Sequence, residues 1–396
     1  VVLALQFILT HGITYQFFCD QLFNVKPKVN LVGSALLLRF PLCKLASVAT
    51  GEAKEELMTV LGYHHENSIN SCYMGIRRAV KAMTQSDLTI ANRMFVNYSD
   101  NIDPSFVANS SEKYGVLVEK VGFNYPKAAV RYINRVASHT FQRIIDILDH
   151  KDVDKDSSMV IISGGHFKGT WEFPFDFRLT KLLPFHHFDG KTTQVPMISK
   201  NDAKIITKIN NFFLLGRYMY CVFFLITYRN VVSIKFAAWA TSLTVILPVT
   251  AQGLPGLINR MHKEPHYIDN LVNNMKMIPL TVILPRIKIK TYVDWTGFLQ
   301  ELGLYSIFNS NSSDLSGIYK KGSFNQKNIA LSKVKQKTFL QIDEMGHNPE
   351  MPGFVDLPKF QADKPFLFQV TLEVDRTRHE MFTGVYYGPE PEPIKT

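Results

Sequence analysis

The chain has 396 residues, of which 46% are hydrophobic, and its formal net charge is +10. This hydrophobic content can fill a sizeable core and excludes wholesale disorder, although the length is large for one domain. The positive charge makes a sulfated polysaccharide a conceivable partner. The chain contains no run of like charges of the kind that binds nucleic acid or lipid surfaces, so we expect neither partner.

The first stretch of the chain, residues 1–10, is apolar, uncharged and too short to span a bilayer. It is typical of the hydrophobic part of a secretory signal. Because no Met or basic segment precedes it, we expect the sequence to begin inside that signal, with a partial signal peptide and leader over residues 1–18. The tripeptides at Asn97, Asn109 and Asn311 match the N-glycosylation pattern. These features predict a secreted, extracellular glycoprotein.

The cysteines and histidines are not spaced as metal ligands usually are. The four cysteines lack a CxxC pair and indicate no disulfide framework, although the sequence is compatible with one disulfide bridge. They are Cys19, Cys43, Cys72 and Cys221. His262 and His266 have the spacing of a helical zinc pair, but Pro265 disfavours a helix there. We therefore expect no metal and no cofactor, and the absence of GxSxG, P-loop and dinucleotide motifs predicts that the protein is not an enzyme.

The first half of the chain alternates between helical and strand patterns. Asn30–Ser34 leads into an apolar run and predicts a capped helix, which Pro41 should kink or end. Gly51–Gly62 predicts a second helix, with the final glycine as its stop. Leu88–Val96 predicts a buried strand, and the apolar spacing from Ile133 to Leu148 predicts an amphipathic helix.

The second half predicts mainly strands. Val160–Phe175 is one, and Trp171 within it is expected to be a core or sheet-cap residue rather than a ligand contact. Val282–Lys290 predicts another strand. From Leu331, the lysines at 333, 335 and 337 alternate with less polar residues, which predicts a strand with a solvated face. Pro365–Val370 predicts a further buried strand.

Residues 218–230 do not fit this pattern. They form an apolar segment rich in Phe, Leu, Ile and Tyr, too short for a transmembrane helix and without turn residues. Our hypothesis is that this anomalous insert is a short intron translated in frame. The sequence of the transcript tests this hypothesis, because an mRNA that encodes the segment contradicts it.

Several motifs carry a resemblance to one family. Phe360–Val370 reads Phe-Gln-Ala-Asp-Lys-Pro-Phe-Leu-Phe-Gln-Val, Phe167–Trp171 reads Phe-Lys-Gly-Thr-Trp, and Ala91-Asn-Arg93 precedes them. Together with Glu344-Met-Gly346, they resemble the serpins over nearly the whole chain. The resemblance implies an α+β fold with one large domain over residues 19–388, three β-sheets and eight or nine helices. It also implies a monomer, a reactive-centre loop over residues 343–359 and a flexible tail over residues 389–396.

The resemblance also implies a mechanism. In inhibitory serpins a protease cleaves the exposed loop, which inserts into the main sheet as an extra strand and drags the acyl-enzyme to the far end. The hinge of that loop would here comprise Glu344, Gly346, His347 and Pro349. Inhibitory relatives have threonine and then mostly alanine after the glycine. A proline in a central strand removes a ladder hydrogen bond and disfavours insertion.

The predicted loop is also short. Thirteen residues lie between Gly346 and Phe360, and fully extended they span only about 43 Å. Counting as in inhibitory relatives puts the scissile bond inside the signature strand, so any reactive bond is expected earlier. The candidate residues for it are Met351, Pro352, Gly353, Phe354, Val355, Asp356 and Leu357.

Two functional hypotheses remain. The first is a non-inhibitory serpin with a binding, carrier or storage role. The second is a short-loop inhibitor of a serine protease or of a papain-like cysteine protease.

Overall fold

The fold consists of three large β-sheets and eight α-helices among the described residues. The computed structural model describes residues 28–63, 68–83, 88–141, 146–202, 224–225, 231–237, 241–264, 267–273, 275–277, 280–320, 328–346, 358–374 and 377–389. The helices are α1 (Ala35–Ala46), α2 (Gly51–Val60), α3 (Ser68–Met83), α4 (Pro104–Tyr114), α5 (Pro126–Phe141), α6 (Leu254–Lys263), α7 (Tyr267–Asn273) and α8 (Thr296–Glu301). The expected α+β fold with three sheets and eight or nine helices is therefore confirmed.

The main sheet has five strands in the order β3–β2–β4–β13–β12. Its strands are β2 (Leu88–Asn97), β3 (Val116–Val121), β4 (Met159–Trp171), β12 (Ile287–Asp294) and β13 (Leu331–Gly346). The two long central strands, β4 and β13, run parallel, and both are antiparallel to their outer neighbours β2 and β12. The junction between β4 and β13, called the seam below, is where the sequence resemblance expects an inserted loop.

Two further sheets pack with the main sheet around one large hydrophobic core. The second sheet has the order β1–β16–β15–β9–β8, and the third has the order β14–β11–β6–β5. Their strands are β1 (Leu31–Gly33), β5 (Lys181–His186), β6 (Thr192–Asp202), β8 (Val231–Lys235), β9 (Thr241–Ile246), β11 (Leu280–Pro285), β14 (Lys359–Gln361), β15 (Phe366–Val374) and β16 (Thr377–Tyr386). The segment expected to be a buried strand from Pro365 thus lies in the centre of the second sheet as β15.

The apolar insert is described only in part. Two of its residues form β7 (Phe224–Leu225), which pairs with β10 (Lys276–Met277) in a two-stranded ribbon. The other residues of the segment 218–230 lie outside the described ranges, as do residues 1–27 and 390–396. The hypotheses of a translated intron, a signal peptide and a flexible tail therefore remain predictions.

The sequence pattern predicts one strand over Val282–Lys290, but these residues belong to two strands. The chain leaves the third sheet at the end of β11 and enters the main sheet at the start of β12, and Arg286 lies between them. The Arg286 N–H donates to the carbonyl of Pro196 rather than to a neighbour in the main sheet. A continuous apolar pattern cannot reveal that its two halves pair with different sheets.

Helix α1 continues through Pro41, so the expectation that this proline could end the helix is wrong. Ser34 caps the helix by accepting a hydrogen bond from the Leu37 N–H at 3.3 Å. Most residues of α1 are buried, and this packing outweighs the one hydrogen bond that proline cannot make. The disulfide between Cys43 and Cys72 fixes α1 to α3, with a Cα–Cα distance of 6.1 Å.

Helix α5 packs on the main sheet and is described over Pro126–Phe141, and Leu148, which the apolar spacing includes in the helix, is not helical. Its apolar side chains, among them Ile133 and Ala137, form a separate cluster with Phe95 of β2 and Ile162 of β4. The helix is therefore attached to the β2–β4 half of the sheet, on one side of the seam.

Candidate functional site

The predicted hinge begins at Glu344, near the end of β13, and this carboxylate is held by two side chains. Arg286 approaches it with Nη2 at 2.6 Å and Nε at 3.0 Å from Oε1. The hydroxyl of Thr180 donates to the same oxygen at 2.7 Å. Burial alone would raise the pKa of Glu344, but the hydrogen bonds from Arg286 and Thr180 outweigh it and hold that pKa below its ordinary value. The hinge therefore starts from an ionised, anchored residue.

The backbone of the hinge is anchored as well. The Glu344 carbonyl accepts from the Phe175 N–H at 3.0 Å, and the Asp343 carbonyl accepts from the Trp171 indole at 2.6 Å. Trp171 is fully buried and stacks on Phe236 with ring centroids 4.6 Å apart. Trp171 is therefore a core residue at the end of the sheet, as the sequence pattern predicts.

Gly346 ends β13 at a point where no side chain would fit. A Cβ at this position would lie 2.4 Å from the backbone nitrogen of Pro174. The close approach lets Gly346 pair with Trp171 at the top of the seam, after an irregularity in register that follows Ile342. Glycine is thus required here by contact with a neighbouring backbone.

The seam below the hinge is closed. Its ladder runs from Leu331 opposite Met159 to Ile342 opposite Gly169, with one register shift near the start. An additional strand would have to separate β4 from β13 and replace each of these hydrogen bonds.

On the core side, β13 is tied to the segment that leads into α1. The Gln336 amide accepts from the Ser34 N–H at 3.1 Å and donates to the Ser34 carbonyl at 2.7 Å. Two positions along, the Thr338 hydroxyl donates to the Val32 carbonyl at 2.5 Å. These buried bonds stabilise the closed position of β13.

The opposite face of β13 carries the alternating lysines, and here one expectation is wrong. Lys335 and Lys337 are 4% and 6% exposed, so they do not form a solvated strand face. Lys335 lies 2.7 Å from Asp152 and 2.8 Å from Asp294. Burial would lower the pKa of Lys335, but its bonds to these two carboxylates raise it above the ordinary value. Neutralisation by acids from distant segments, which local alternation cannot reveal, allows the lysine to be buried.

The far end of the predicted loop is anchored on the third sheet. Lys359 and Phe360 of β14 pair in parallel with Thr281 and Val282 of β11, and the Thr281 N–H donates to the Pro358 carbonyl at 2.8 Å. Two predicted hinge residues, His347 and Pro349, lie outside the described ranges. So do all seven candidates for the reactive bond, residues 351–357.

Arg286 and Thr180 contact the hinge but were not predicted as site residues. Arg286 is the residue directly before β12. Ile287 at the start of β12 is paired with Ile342 of β13, so the preceding arginine lies beside the acidic end of β13. A predicted pairing of these two strands could have suggested the ion pair, whereas nothing in the sequence pattern identifies Thr180.

The three glycosylation candidates differ in their surroundings. Asn311 is exposed in a turn, whereas Asn97 is half-buried at the end of β2 and Asn109 is half-buried within α4. Only Asn311 therefore combines exposure with an irregular backbone.

The described part of the chain contains no group of three or more His, Cys, Asp or Glu residues that could hold a metal ion. Within the same residues, no helix is long and apolar enough to cross a membrane.

Comparison with known proteins gives concordant matches. The chain is 25% identical over 372 residues to "Antitrypsin" of Bombyx mori, which covers 91% of this chain and 88% of that protein. It is 25% identical over 380 residues to "Putative non-inhibitory serpin-10" of Oryza sativa subsp. japonica, covering 92% and 95% of the two chains. The crystal structure of native protease nexin-1 with heparin superimposes with a TM-score of 0.77 at 23% identity, over 98% and 100% of the two chains.

The family model "Serpin (serine protease inhibitor)" matches residues 15–389, which is nearly the whole chain. Members of this family mostly inhibit proteases and are not themselves catalysts, and the relatives above include proteins named for either behaviour. The signature strand, the sheet order and this match agree, and the chain belongs to the serpin family.

Proposed function

We propose that this serpin does not trap proteases by strand insertion and instead has a binding, carrier or storage role. The observation that carries the proposal is the short connection between two fixed ends. Residues 347–358, twelve in number, join the last residue of β13 to the first residue of β14. The seam that an inserted strand would have to fill runs along the 13-residue strand β4, which spans about 43 Å.

Cleavage would leave an even shorter segment attached to the end of β13, which we call the arm. A cut between Met351 and Leu357 leaves five to ten residues after Gly346, and these reach about 17–33 Å when fully extended. An acyl-enzyme attached to such an arm would stop well before the far end of β4. The length of the arm therefore argues against the displacement on which conventional trapping depends.

The chemistry of the arm argues in the same direction. An inserted strand would carry His347, Pro349 and Glu350 between β4 and β13. The proline removes a ladder hydrogen bond, and burial of a histidine or glutamate without a partner is costly. Inserted residues would also have to displace the bonds that tie Gln336 to Ser34.

A second candidate function is a short-loop inhibitor of a serine or papain-like cysteine protease, with its reactive bond between Met351 and Leu357. The anchored loop ends favour it. Glu344 is held by Arg286 and Lys359 is held in the third sheet, so the bait could be presented rigidly. Such an inhibitor would act by tight, reversible binding rather than by insertion.

The experiment that separates these functions is a protease panel with trypsin-, chymotrypsin-, elastase- and papain-like enzymes. Each enzyme is mixed with the purified protein, and samples are run on a denaturing gel while residual activity is measured. We expect cleavage or no reaction, and no detergent-resistant band at the summed mass. Such a band would overturn the proposal, whereas inhibition without the band would favour the second candidate. A P349A/P352A variant tests whether the prolines alone block trapping.

We also propose that the protein is secreted, glycosylated and monomeric. A Cys43–Cys72 bridge suits an oxidising compartment, and the exposed turn at Asn311 suits a glycan. Expression in a secretory eukaryotic host, followed by glycosidase treatment and mass spectrometry, should show a glycan that N311Q abolishes and N109Q does not. An unglycosylated secreted protein would contradict this part.

A sulfated polysaccharide remains the weaker partner proposal. It is motivated by the net charge of +10 and by the similar fold of protease nexin-1, whose crystal structure was determined with heparin. Retention on a heparin column beyond physiological salt would support it, and elution at low salt would contradict it.

A further inference from the structure

A cleft of about 810 Å³ lies between α5 and the main sheet, on the side opposite the core. We call it the α5 cleft. Its walls include Arg131, Asn134 and Arg135 of the helix and His150 of the following segment, and Tyr292 and Lys337 line it from β12 and β13. The volume falls in the range of small-molecule sites. Neither the hinge nor the predicted loop contributes to it.

The electrostatic character of the α5 cleft favours an anion. Arg131 and Arg135 are exposed, and Lys337 is only 6% exposed. Burial and the nearby charge of Lys290 lower the pKa of Lys337. An anion beside this ammonium group would stabilise its charged form by Coulomb attraction and so oppose both effects.

Two carboxylates, those of Asp146 and Asp149, also line the cleft. Asp149 Oδ1 accepts from the His150 N–H at 2.6 Å, a bond that leaves the negative charge of this carboxylate in place. The three cations Arg131, Arg135 and Lys337 therefore outnumber the two carboxylates by one charge. A small anion with one or two charges therefore suits the site better than a highly charged polymer.

The rest of the lining combines an aromatic ring with polar side chains such as Ser138 and Asn134. Tyr292 offers an aromatic ring that is 45% exposed, whereas Val130, Ile147 and Leu148 lie behind the lining and are only 1–3% exposed. Asn134 fixes this wall, because its amide donates to the Leu148 carbonyl and accepts from the Leu148 N–H, each at 2.9 Å. A flat apolar group can pack on this surface while its charged end meets the arginines.

We propose that the α5 cleft binds a small organic anion composed of a flat apolar part and a phosphate or sulfate head. The site bridges the two halves of the main sheet. Helix α5 packs on β2 and β4, whereas Lys337 belongs to β13 and lies opposite Gly164 of β4 across the seam. An anion held by the helix arginines and by Lys337 links the two halves and opposes their separation. This inference holds whether or not the loop traps proteases.

Binding is tested by calorimetry on the full chain with phenyl phosphate and phenyl sulfate, with inorganic phosphate and phenol as partial ligands. We expect saturable one-to-one binding of one or both aryl esters and weaker binding of each part alone. The two esters distinguish a phosphate from a sulfate preference. Absence of saturable binding at millimolar concentration would overturn the proposal, and equal affinity for inorganic phosphate would overturn the apolar contact.

The matched variants are R131Q/R135Q and K127Q. All three residues lie on the exposed side of α5, but Lys127 does not line the cleft. We expect R131Q/R135Q to weaken binding about tenfold or more, because charge-assisted hydrogen bonds are lost, and K127Q to leave it unchanged. Equal weakening by both variants would show a diffuse charge effect and would contradict a built site.

The bridging role is tested by hydrogen exchange. A bound aryl ester should slow the exchange of the β13 amides around Lys337 at the seam, and the outer strand β3 serves as the reference. Protection that is unchanged in β13 while the ligand is bound would overturn the bridge.

Discussion

At Glu344, burial raises the pKa of the carboxylate and hydrogen bonding lowers it. The bonds from Arg286 and Thr180 prevail, so the pKa of this residue is lower in the folded chain than its ordinary value of 4.5. A lowered pKa stabilises the folded state at every pH above the ordinary pKa value. This contribution to the free energy of unfolding is lost as the pH falls through the folded pKa. The hinge should therefore weaken in acid.

The variant E344Q tests this inference. We expect it to lower the free energy of unfolding by about 1–2 kcal/mol at pH 7, with a difference that shrinks below about pH 4. Urea unfolding at both pH values measures the difference. K191Q, which breaks the exposed pair with Asp189, is the control and should change stability by less than about 0.5 kcal/mol. A loss in E344Q that is independent of pH would contradict the account.

Glu380 in β16 shows the opposite behaviour. Burial raises its pKa to about 7, and the hydrogen bond from Thr383 and the charge of Arg378 offset this only in part. Because the folded pKa exceeds the ordinary value, the associated stability is fully present below about pH 4.5 and is lost as the pH rises through 7.

We therefore expect E380Q to flatten the pH dependence of stability. Relative to this variant, the wild type should lose up to about 3 kcal/mol between pH 4.5 and pH 8. The measurement is the free energy of unfolding in urea across that range. E373Q, at an exposed position of β15, should retain the wild-type slope. Parallel curves for the wild type and E380Q would rule out the assignment.

Among the elements, α1 combines an internal proline with a disulfide to α3. The bridge closes a separation of 29 residues, and both cysteines are 1% exposed. Removing a bridge of this span should cost about 3–4 kcal/mol, mainly through the unfolded chain.

The double variant C43A/C72A tests the bridge by its urea unfolding midpoint. The wild-type protein refolded in a reductant loses the bond but keeps both side chains, so comparison with it separates the loss of the bond from the loss of side-chain volume. A decrease below about 1 kcal/mol in both samples would contradict a bridge that stabilises this pair of helices.

For the whole molecule, local patterns predicted most of the strands and the family fold. Glu344 and Gly346 lie at the end of β13, and their role as a hinge stays a prediction. Patterns failed where partners come from far along the chain. Lys335 is buried because Asp152 and Asp294 meet it, and β11 and β12 separate because they pair with different sheets. Helix α1 passes Pro41 because tertiary packing outweighs a local preference.

The closed seam and the short length of the arm both argue against strand insertion. In a serpin that traps proteases, cleavage of the loop allows strand insertion and should raise stability. Here the arm is shorter than β4 and carries prolines, so cleavage should add few ordered contacts. The most direct measurement is the thermal unfolding midpoint before and after limited proteolysis between Met351 and Leu357, with the cut verified by mass. We predict a change within about 4 °C, whereas a rise of roughly 20 °C or more would contradict the account.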